Sequence, residues 1–204
     1  MNALQFFLKQ HAHLHSAGVG ETEGALFEDR VLSDLNEDQI RLRPREGLNS
    51  VAWLIWHMAR TEDVLVNVGV AGRSQVLDED NWLDRLKVPR RDIGTGMTSE
   101  EVSELSAALD ISALRAYRAS VGRRTQEIVR ALRPEELDEV IAESHLRRAI
   151  SEGAFGPNAG WVVESAWRGK TKGYVLGRNS IVHNALHLGE ALAVRSQAGL
   201  GLGV

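Results

Sequence analysis

The chain has 204 residues, of which 43% are hydrophobic and 25% charged, a composition typical of one soluble globular domain spanning residues 1–204. Its net charge of −4, without a basic block, speaks against a dedicated binder of nucleic acid or anionic membranes. It has no cysteine, so disulfides, thiolate metal ligands and a cysteine nucleophile are excluded, and any reacting thiol must arrive as a cosubstrate.

The first half of the chain contains two segments with helical periodicity. Residues 2–35 place apolar side chains at three- and four-residue steps, with a glycine-rich interruption. After a loop with proline and glycine, Asn49 or Ser50 is positioned to cap the next helix. That second helix, 51–69, is the most apolar segment, and its main stripe turns His57 toward the interior.

The second half contains two further helices and two irregular stretches. A charged connection at 78–96 leads to a helix predicted at 98–132, which is followed by an irregular insert at 135–172 and a last helix at 174–198. No segment shows the alternation of a strand. The pattern predicts an all-α fold, a four-helix bundle with a long connection between helices 2 and 3 and an irregular insert before the last helix.

The last predicted helix holds a candidate metal site. His183 and His187 are four residues apart, so their Cβ atoms lie on one helix face, roughly 5–6 Å from each other. The rest of that face is largely apolar, and His57 faces the interior from another helix. Three histidines match the protein ligands of a catalytic metal site that keeps one position open. From the pattern alone, the alternative is that all three are hydrogen-bonded core histidines.

The remaining histidines favour a structural interpretation. His11 and His15 share the four-residue spacing, but glycines interrupt their segment and His13 points away from both. We interpret these three as histidines at a bundle end or surface. His145 lies between charged residues, and we expect it to be solvated.

Two charged residues lie close in sequence to the predicted ligands. Glu190 follows His183 by about two helical turns, where a carboxylate can orient a ligand, act as general acid or base, or bind the metal directly. The alternative is an ion pair with Arg195 or another surface cation. Arg60 follows His57 by three residues and is a candidate for contacting a substrate carboxylate. The alternative is a surface salt bridge with Glu62, Asp63 or another helix.

Four tryptophans are candidates for the core or for a pocket. Trp53 and Trp56 flank His57 and are not expected to face inward together, so one is expected in the core and the other at a pocket or interface. Trp161 and Trp167 precede the last helix in a stretch that is able to form a lid. Packing in the core or at an interface is the simplest interpretation for all four.

Two motifs resemble those of the DinB/YfiT-like superfamily. The segment LRPREGLNSVAWLIWHMARTE (42–62) resembles its second-helix motif, in which a proline loop and a small polar cap precede an apolar run that ends in a metal-binding histidine. The segment HNALHLGE (183–190) resembles its last-helix motif, which supplies the other two histidines. The layout of helices is similar over the whole chain. The irregular insert at 135–172, however, makes this region longer than in the compact core of the family.

The resemblance implies a four-helix bundle that holds a divalent metal, most often zinc or nickel, through His57, His183 and His187. It also implies a homodimer, as in many members. Characterised relatives include transferases and isomerases that use low-molecular-weight thiols such as bacillithiol or mycothiol, and others are described as metal-dependent hydrolases.

These features leave three functional hypotheses. The first is a thiol-dependent S-transferase or isomerase in which the metal activates a thiol cosubstrate. The second is a hydrolase that uses a water activated by the metal, with Glu190 moving protons. The third is a metal- or ligand-binding bundle without turnover, which a bulky apolar residue over the open metal position would favour.

The expected partner is a small-molecule substrate, with no nucleic acid and no membrane. No apolar run approaches the roughly 20 residues of a membrane-spanning helix, and the first residues lack the pattern of a signal peptide. We therefore expect a cytoplasmic protein.

Overall fold

The computed structural model describes residues 1–20 and 24–203, and the middle of the predicted glycine-rich interruption lies outside these ranges. Over the described ranges the chain forms helices, with an isolated bridge between Val140 and Thr171 and no β-strand. The predicted all-α class is confirmed. The helices are α1 (Ala3–His13), α2 (Phe27–Leu32), α3 (Glu37–Arg41), α4 (Val51–Glu62, continued by a π-helical segment, Asp63–Val70), α5 (Trp82–Leu86), α6 (Ser99–Ala108), α7 (Ile111–Ala131), α8 (Glu143–Ser151), α9 (Gly160–Ala166) and α10 (Lys172–Val175, a π-helical segment Leu176–Val182, then His183–Gln197).

Helix α4 with its π-helical continuation forms the centre of the fold. It starts at the predicted position, where the Ser50 hydroxyl accepts a hydrogen bond from the Trp53 amide at 2.9 Å. Every residue from 51 to 70 is buried, so this helix has no solvent-facing side. Its polar side chains must therefore find partners inside the protein, because a buried polar group without a hydrogen bond destabilises the fold.

The longest helices pack around this centre. Helix α4 contacts both α7 and α10, and α1 contacts α7 and the π-helical segment of α10. This packing brings the faces of α4 and α10 that carry the predicted ligands against each other. None of the helices in the described ranges combines the length and the apolar character that crossing a membrane requires.

The third predicted helix, 98–132, is divided in two, so its prediction as one helix is wrong. Thr98 caps α6 as part of a capping box with Glu101. The chain then turns extended at Leu109, whose carbonyl accepts a hydrogen bond from the Arg41 guanidinium at 2.7 Å, and Asp110 caps α7 by accepting from the Ala113 amide at 3.0 Å. A second cap and a long-range hydrogen bond thus interrupt a sequence that is periodic on both sides.

The two irregular stretches contain short helices. The connection at 78–96 includes α5 and follows a 3₁₀ turn at Val76–Asp78. The insert at 135–172 contains α8 and α9, and α9 contributes one wall of the cavity described below.

Candidate metal centre

The three predicted ligands converge between α4 and α10. His57 comes from α4, and His183 and His187 come from the last part of α10. One ligand nitrogen from each lies within 4.8 Å of the other two, and the Nε2 atoms of His57 and His183 are 3.1 Å apart. This group of three histidines is therefore able to hold a metal ion.

The orientation of His57 is fixed by two neighbours. Its Nδ1 lies 2.5 Å from the backbone carbonyl of Ile93, and the Trp53 ring stacks on the imidazole with 4.7 Å between centroids. Burial, followed by the nearby His187, lowers the pKa of His57 to about 4, so the ring is neutral at pH 7. Because a carbonyl only accepts, the single ring proton is on Nδ1. The Nε2 lone pair therefore points toward the other two histidines, as a metal ligand requires.

His187 is oriented by a carboxylate. Its Nδ1 donates to Glu190 Oε2 at 2.8 Å, and Asn49 Nδ2 donates to Glu190 Oε1 at 2.9 Å. Burial raises the pKa of Glu190, but the hydrogen bonds from His187 and Asn49 outweigh it, so the net shift is downward. Of the roles predicted for Glu190, this geometry matches the orientation of a ligand, and the alternative ion pair with Arg195 does not form.

His183 completes the group with an uncharged ring. Burial lowers the pKa of His183 well below its usual value, and His57 and His187 lower it further. Its Nδ1 is buried and finds no hydrogen-bond partner among the residues that the structure describes. No neighbour fixes the protonation of Nδ1, so the ring proton can lie there and leave the Nε2 lone pair, 3.1 Å from Nε2 of His57, for a cation. The donor set fits a borderline divalent metal that binds imidazole.

A cavity of about 580 Å³ opens on these histidines. Aromatic side chains, small residues and amides make up most of its wall. Among its described lining residues, Arg178 carries a formal charge and none is an aspartate or glutamate. The lining consists of Asn49, Trp53, His57, Thr61, Leu65, Ile93, Gly94, Thr95, Gly96, Met97, Val102, Trp161, Val162, Ser165, Ala166, Tyr174, Arg178, Asn179, His183 and His187.

Helical periodicity did not point to Arg178 and Asn179 as cavity residues. At the ordinary spacing of an α-helix, Arg178 would lie well off the face of His183, five residues later. The π-helical segment Leu176–Val182 precedes His183 directly, and its i→i+5 hydrogen bonds widen the turn. Residues five apart thereby come onto one face, which brings Arg178 to the same cavity as His183. Such segments are frequent at functional sites.

Arg60 lies away from the cavity, so its predicted contact with a substrate finds no support in its position. The residue is fully buried and does not line the cavity. Its guanidinium donates to Asp63 Oδ2 at 3.1 Å, to the Tyr117 hydroxyl at 2.7 Å and to Gln75 Oε1 at 2.6 Å. The alternative, a salt bridge with Glu62, Asp63 or another helix at the surface, is right about the partner Asp63 and wrong about the location, because the Arg60–Asp63 pair is fully buried.

The expectation that Trp53 and Trp56 do not both face inward is wrong. Trp53 is 7% exposed and Trp56 is fully buried, because α4 is covered on all sides. Trp53 lines the cavity, and Trp56 packs against Gly94, which lacks the side chain that would collide with its ring. The two rings therefore occupy different surroundings, as predicted, although both are inside.

The interpretation of His11 and His15 as end or surface residues is also wrong. Both are fully buried, and their Nε2 atoms donate to the two oxygens of Glu62 at 2.7 and 3.2 Å. Glu62 also accepts from Arg118 Nη1 at 2.9 Å and Asn184 Nδ2 at 2.8 Å. Their pairing partner lies 47 or more residues away in sequence, so local periodicity did not reveal it.

The expectation that His145 is solvated is wrong as well. The residue is half-buried, and its Nδ1 lies 2.9 Å from the Gly69 carbonyl.

His11, His15 and Glu62 also lie close enough to hold a metal ion, but their hydrogen bonds suit a cation less well. His11 donates from Nε2 to Glu62 and accepts at Nδ1 from Gln126 at 2.9 Å, which leaves it no free lone pair. The Arg118 guanidinium already balances the Glu62 carboxylate. Burial raises the pKa of Glu62, but His11, His15 and Arg118 outweigh it and hold the net pKa well below its usual value. This group is an internal network of hydrogen bonds and ion pairs around Glu62, whereas the three-histidine group lines a cavity.

Comparisons with known proteins agree with this architecture. Residues 25–166 match the sequence profile of the DinB superfamily. A crystal structure of a conserved protein from Enterococcus faecalis superposes with a TM-score of 0.67 at 19% sequence identity, covering 97% of each chain, which shows a shared fold. No curated protein sequence matches the chain. The family profile covers well over half of the sequence, so the chain belongs to the DinB superfamily.

Proposed function

We propose that the protein is a metal-dependent enzyme, a thiol-dependent S-transferase or isomerase that works on a small molecule in the cavity above the three histidines. The observation that carries this proposal is the convergence of His57, His183 and His187 on a cavity whose described lining contains no carboxylate. The resemblance to thiol-dependent members of the family supplies the choice of cosubstrate.

The metal proposed for this site is zinc or nickel. His57, His183 and His187 would hold it through three imidazole nitrogens, a set that both ions accept. When bound, the metal would lower the pKa of a thiol and hold the thiolate in the cavity. The protein's own contribution is orientation, through Ile93 on His57 and Glu190 on His187.

The cavity wall favours a thiol over water as the nucleophile. A hydrolase needs a carboxylate that accepts a proton from the attacking water, and both oxygens of Glu190 already accept hydrogen bonds from His187 and Asn49. A thiolate needs no such base once its proton has left. The apolar surface of Trp53, Met97 and Leu65 also suits a sulfur-containing ligand better than a water-filled reaction site.

Hydrolysis remains the second candidate because Glu190 is half-exposed and next to a ligand. Glu190 would act as the general base if its hydrogen bond from Asn49 were replaced by one from water. A bundle that binds metal without turnover is the third candidate. The cavity of about 580 Å³ that adjoins the histidines supports the two enzyme candidates over this one, because it leaves room for a substrate.

The test uses protein loaded with cobalt(II), which reports on its ligands through its absorption spectrum. We expect a small thiol, such as 2-mercaptoethanol, to produce a sulfur-to-metal charge-transfer band that saturates at one thiol per chain. The matched alcohol, ethylene glycol, serves as control and should give none. A spectrum that does not respond to thiols, together with thiol-independent hydrolysis of model esters by the zinc form, would overturn the transferase proposal in favour of the hydrolase.

A further inference from the structure

The opening of the cavity carries an unpaired positive charge. Arg178 is exposed and lines the cavity, and no hydrogen bond or ion pair engages its guanidinium within residues 1–20 and 24–203. The acidic residue of α9, Glu164, is paired with Arg168 at 2.9 Å and does not line the cavity. An arginine fork without a protein partner at a cavity is arranged to bind an anion from solution.

Aromatic surface surrounds this charge. Trp161 is 65% exposed and Tyr174 is 43% exposed, although both are large side chains that line the cavity. Lys170 adds a second cation, with Nζ 5.1 Å from the centroid of the Tyr174 ring. Exposed indole and phenol rings at a cavity opening offer surface for the apolar or aromatic part of a ligand.

The distance from Arg178 to the histidines limits the size of the ligand. Arg178 precedes His183 by five residues on α10, so the two backbone positions are at most about 8 Å apart along the helix axis, the value for the rise of an α-helix. A group held by Arg178 and a reacting atom next to His183 can therefore belong to one short molecule. A long polymer or a bulky neutral lipid would not use this pairing.

We propose that Arg178 binds the carboxylate of a short organic acid whose apolar or aromatic part packs on Trp161 and Tyr174. This assignment rests on the proposed function, because it names the substrate class of the same site. The shared chemistry is the carboxylate, which either the electrophilic substrate or the thiol cosubstrate can carry.

The first experiment uses metal-free protein, so that a carboxylate cannot bind to the metal. The probes are 3-phenylpropionate and the matched alcohol 3-phenyl-1-propanol, and their dissociation constants are measured by tryptophan fluorescence or calorimetry. We expect the wild-type protein to bind the acid about tenfold more tightly than the alcohol, a usual gain for one charge-assisted contact at a partly exposed site. Arg178→Gln should abolish this preference and Arg178→Lys should retain part of it.

The control variant is Arg147→Gln, because Arg147 is an exposed arginine on α8 that does not line the cavity. It should bind both probes as the wild type does. An undiminished preference for the acid in Arg178→Gln, or no preference in the wild type, would overturn the proposal. Neither result depends on metal content, so a failure of the metal-site proposal shows up separately in elemental analysis.

A second experiment identifies which of the two molecules carries the carboxylate. Cobalt-loaded protein is titrated with 3-mercaptopropionate and with 3-mercapto-1-propanol. If Arg178→Gln weakens the mercapto acid alone, the carboxylate belongs to the thiol cosubstrate. If the two thiols bind alike in both proteins while 3-phenylpropionate still depends on Arg178, it belongs to the electrophilic substrate.

Discussion

His187 donates from Nδ1 to Oε2 of Glu190 across 2.8 Å, which fixes the imidazole with Nε2 toward the cavity. The second oxygen of Glu190 accepts from Asn49, a residue of the loop before α4. Glu190 thus connects a predicted ligand on α10 to the start of the helix that carries His57. Its main role in this geometry is to orient a metal ligand.

Glu190→Gln should weaken metal binding without unfolding the protein. A glutamine replaces one of the two acceptor oxygens with an NH2 donor, which would face the donor of either His187 or Asn49. Loss of such an orienting partner typically reduces metal affinity about 10- to 100-fold. Competition with a chromophoric chelator measures the change. Glu100→Gln, at an exposed position on α6, is the control and should bind metal as the wild type does. Equal affinities in the two variants would contradict the orienting role.

Glu62→Gln should destabilise the fold strongly. Glu62 is fully buried and accepts hydrogen bonds from His11, His15, Arg118 and Asn184. The substitution removes the closer of the two carboxylates that pair with the buried Arg118 guanidinium, the other being Glu28 at 3.2 Å. Breaking a buried ion pair from one side costs about 3–5 kcal/mol. Urea unfolding of metal-free protein measures it. The exposed Glu164→Gln should leave the midpoint unchanged, and a similarly small effect for Glu62→Gln would show that the network contributes little.

The stability should fall as the pH decreases from about 6.5, in part because of His15. Burial, then Arg118, lowers the pKa of His15 from 6.5 to about 3 in the folded protein. Between these values the unfolded chain binds a proton that the folded protein does not, so acid favours unfolding, with a slope of about 1.4 kcal/mol per pH unit from this group. The stability that neutral His15 contributes is fully present above pH 6.5, its pKa in the unfolded chain. It is lost as the pH falls toward about 3, its pKa in the folded protein.

His15→Gln tests this dependence, because the glutamine amide can still donate to Glu62 but does not titrate. Unfolding free energies at pH 6.5, 6.0, 5.5 and 5.0 should decline less steeply in the variant than in the wild type. Parallel declines would mean that His15 is not the group responsible.

The sequence alone allowed the fold class and the three-histidine group to be predicted, since these depend on local periodicity. The Ser50 cap, the apolar run of α4 and the spacing of His183 and His187 are all properties of neighbouring residues. Each determines which way a side chain faces on its own helix. The convergence of the two helices then followed from the resemblance to a family.

Features that depend on contacts between distant residues could not be predicted in this way. His11 and His15 are inside because Glu62 and Arg118 meet them there, and Arg60 is inside because Asp63, Tyr117 and Gln75 do. Arg178 reaches the cavity only through a π-helical segment, which has no recognised sequence pattern here. The break between α6 and α7 at Leu109 likewise involves a distant residue, because the Leu109 carbonyl accepts a hydrogen bond from Arg41.

The most direct test of the central claim is elemental analysis of protein purified without a histidine tag, compared with the alanine variants of His57, His183 and His187. We predict close to one zinc or nickel per chain in the wild type and none in any of the three variants. His11→Ala serves as the matched control and should keep its metal, provided that circular dichroism shows it folded. Stoichiometric metal in His187→Ala, or no metal in the wild type even after reconstitution, would contradict the account.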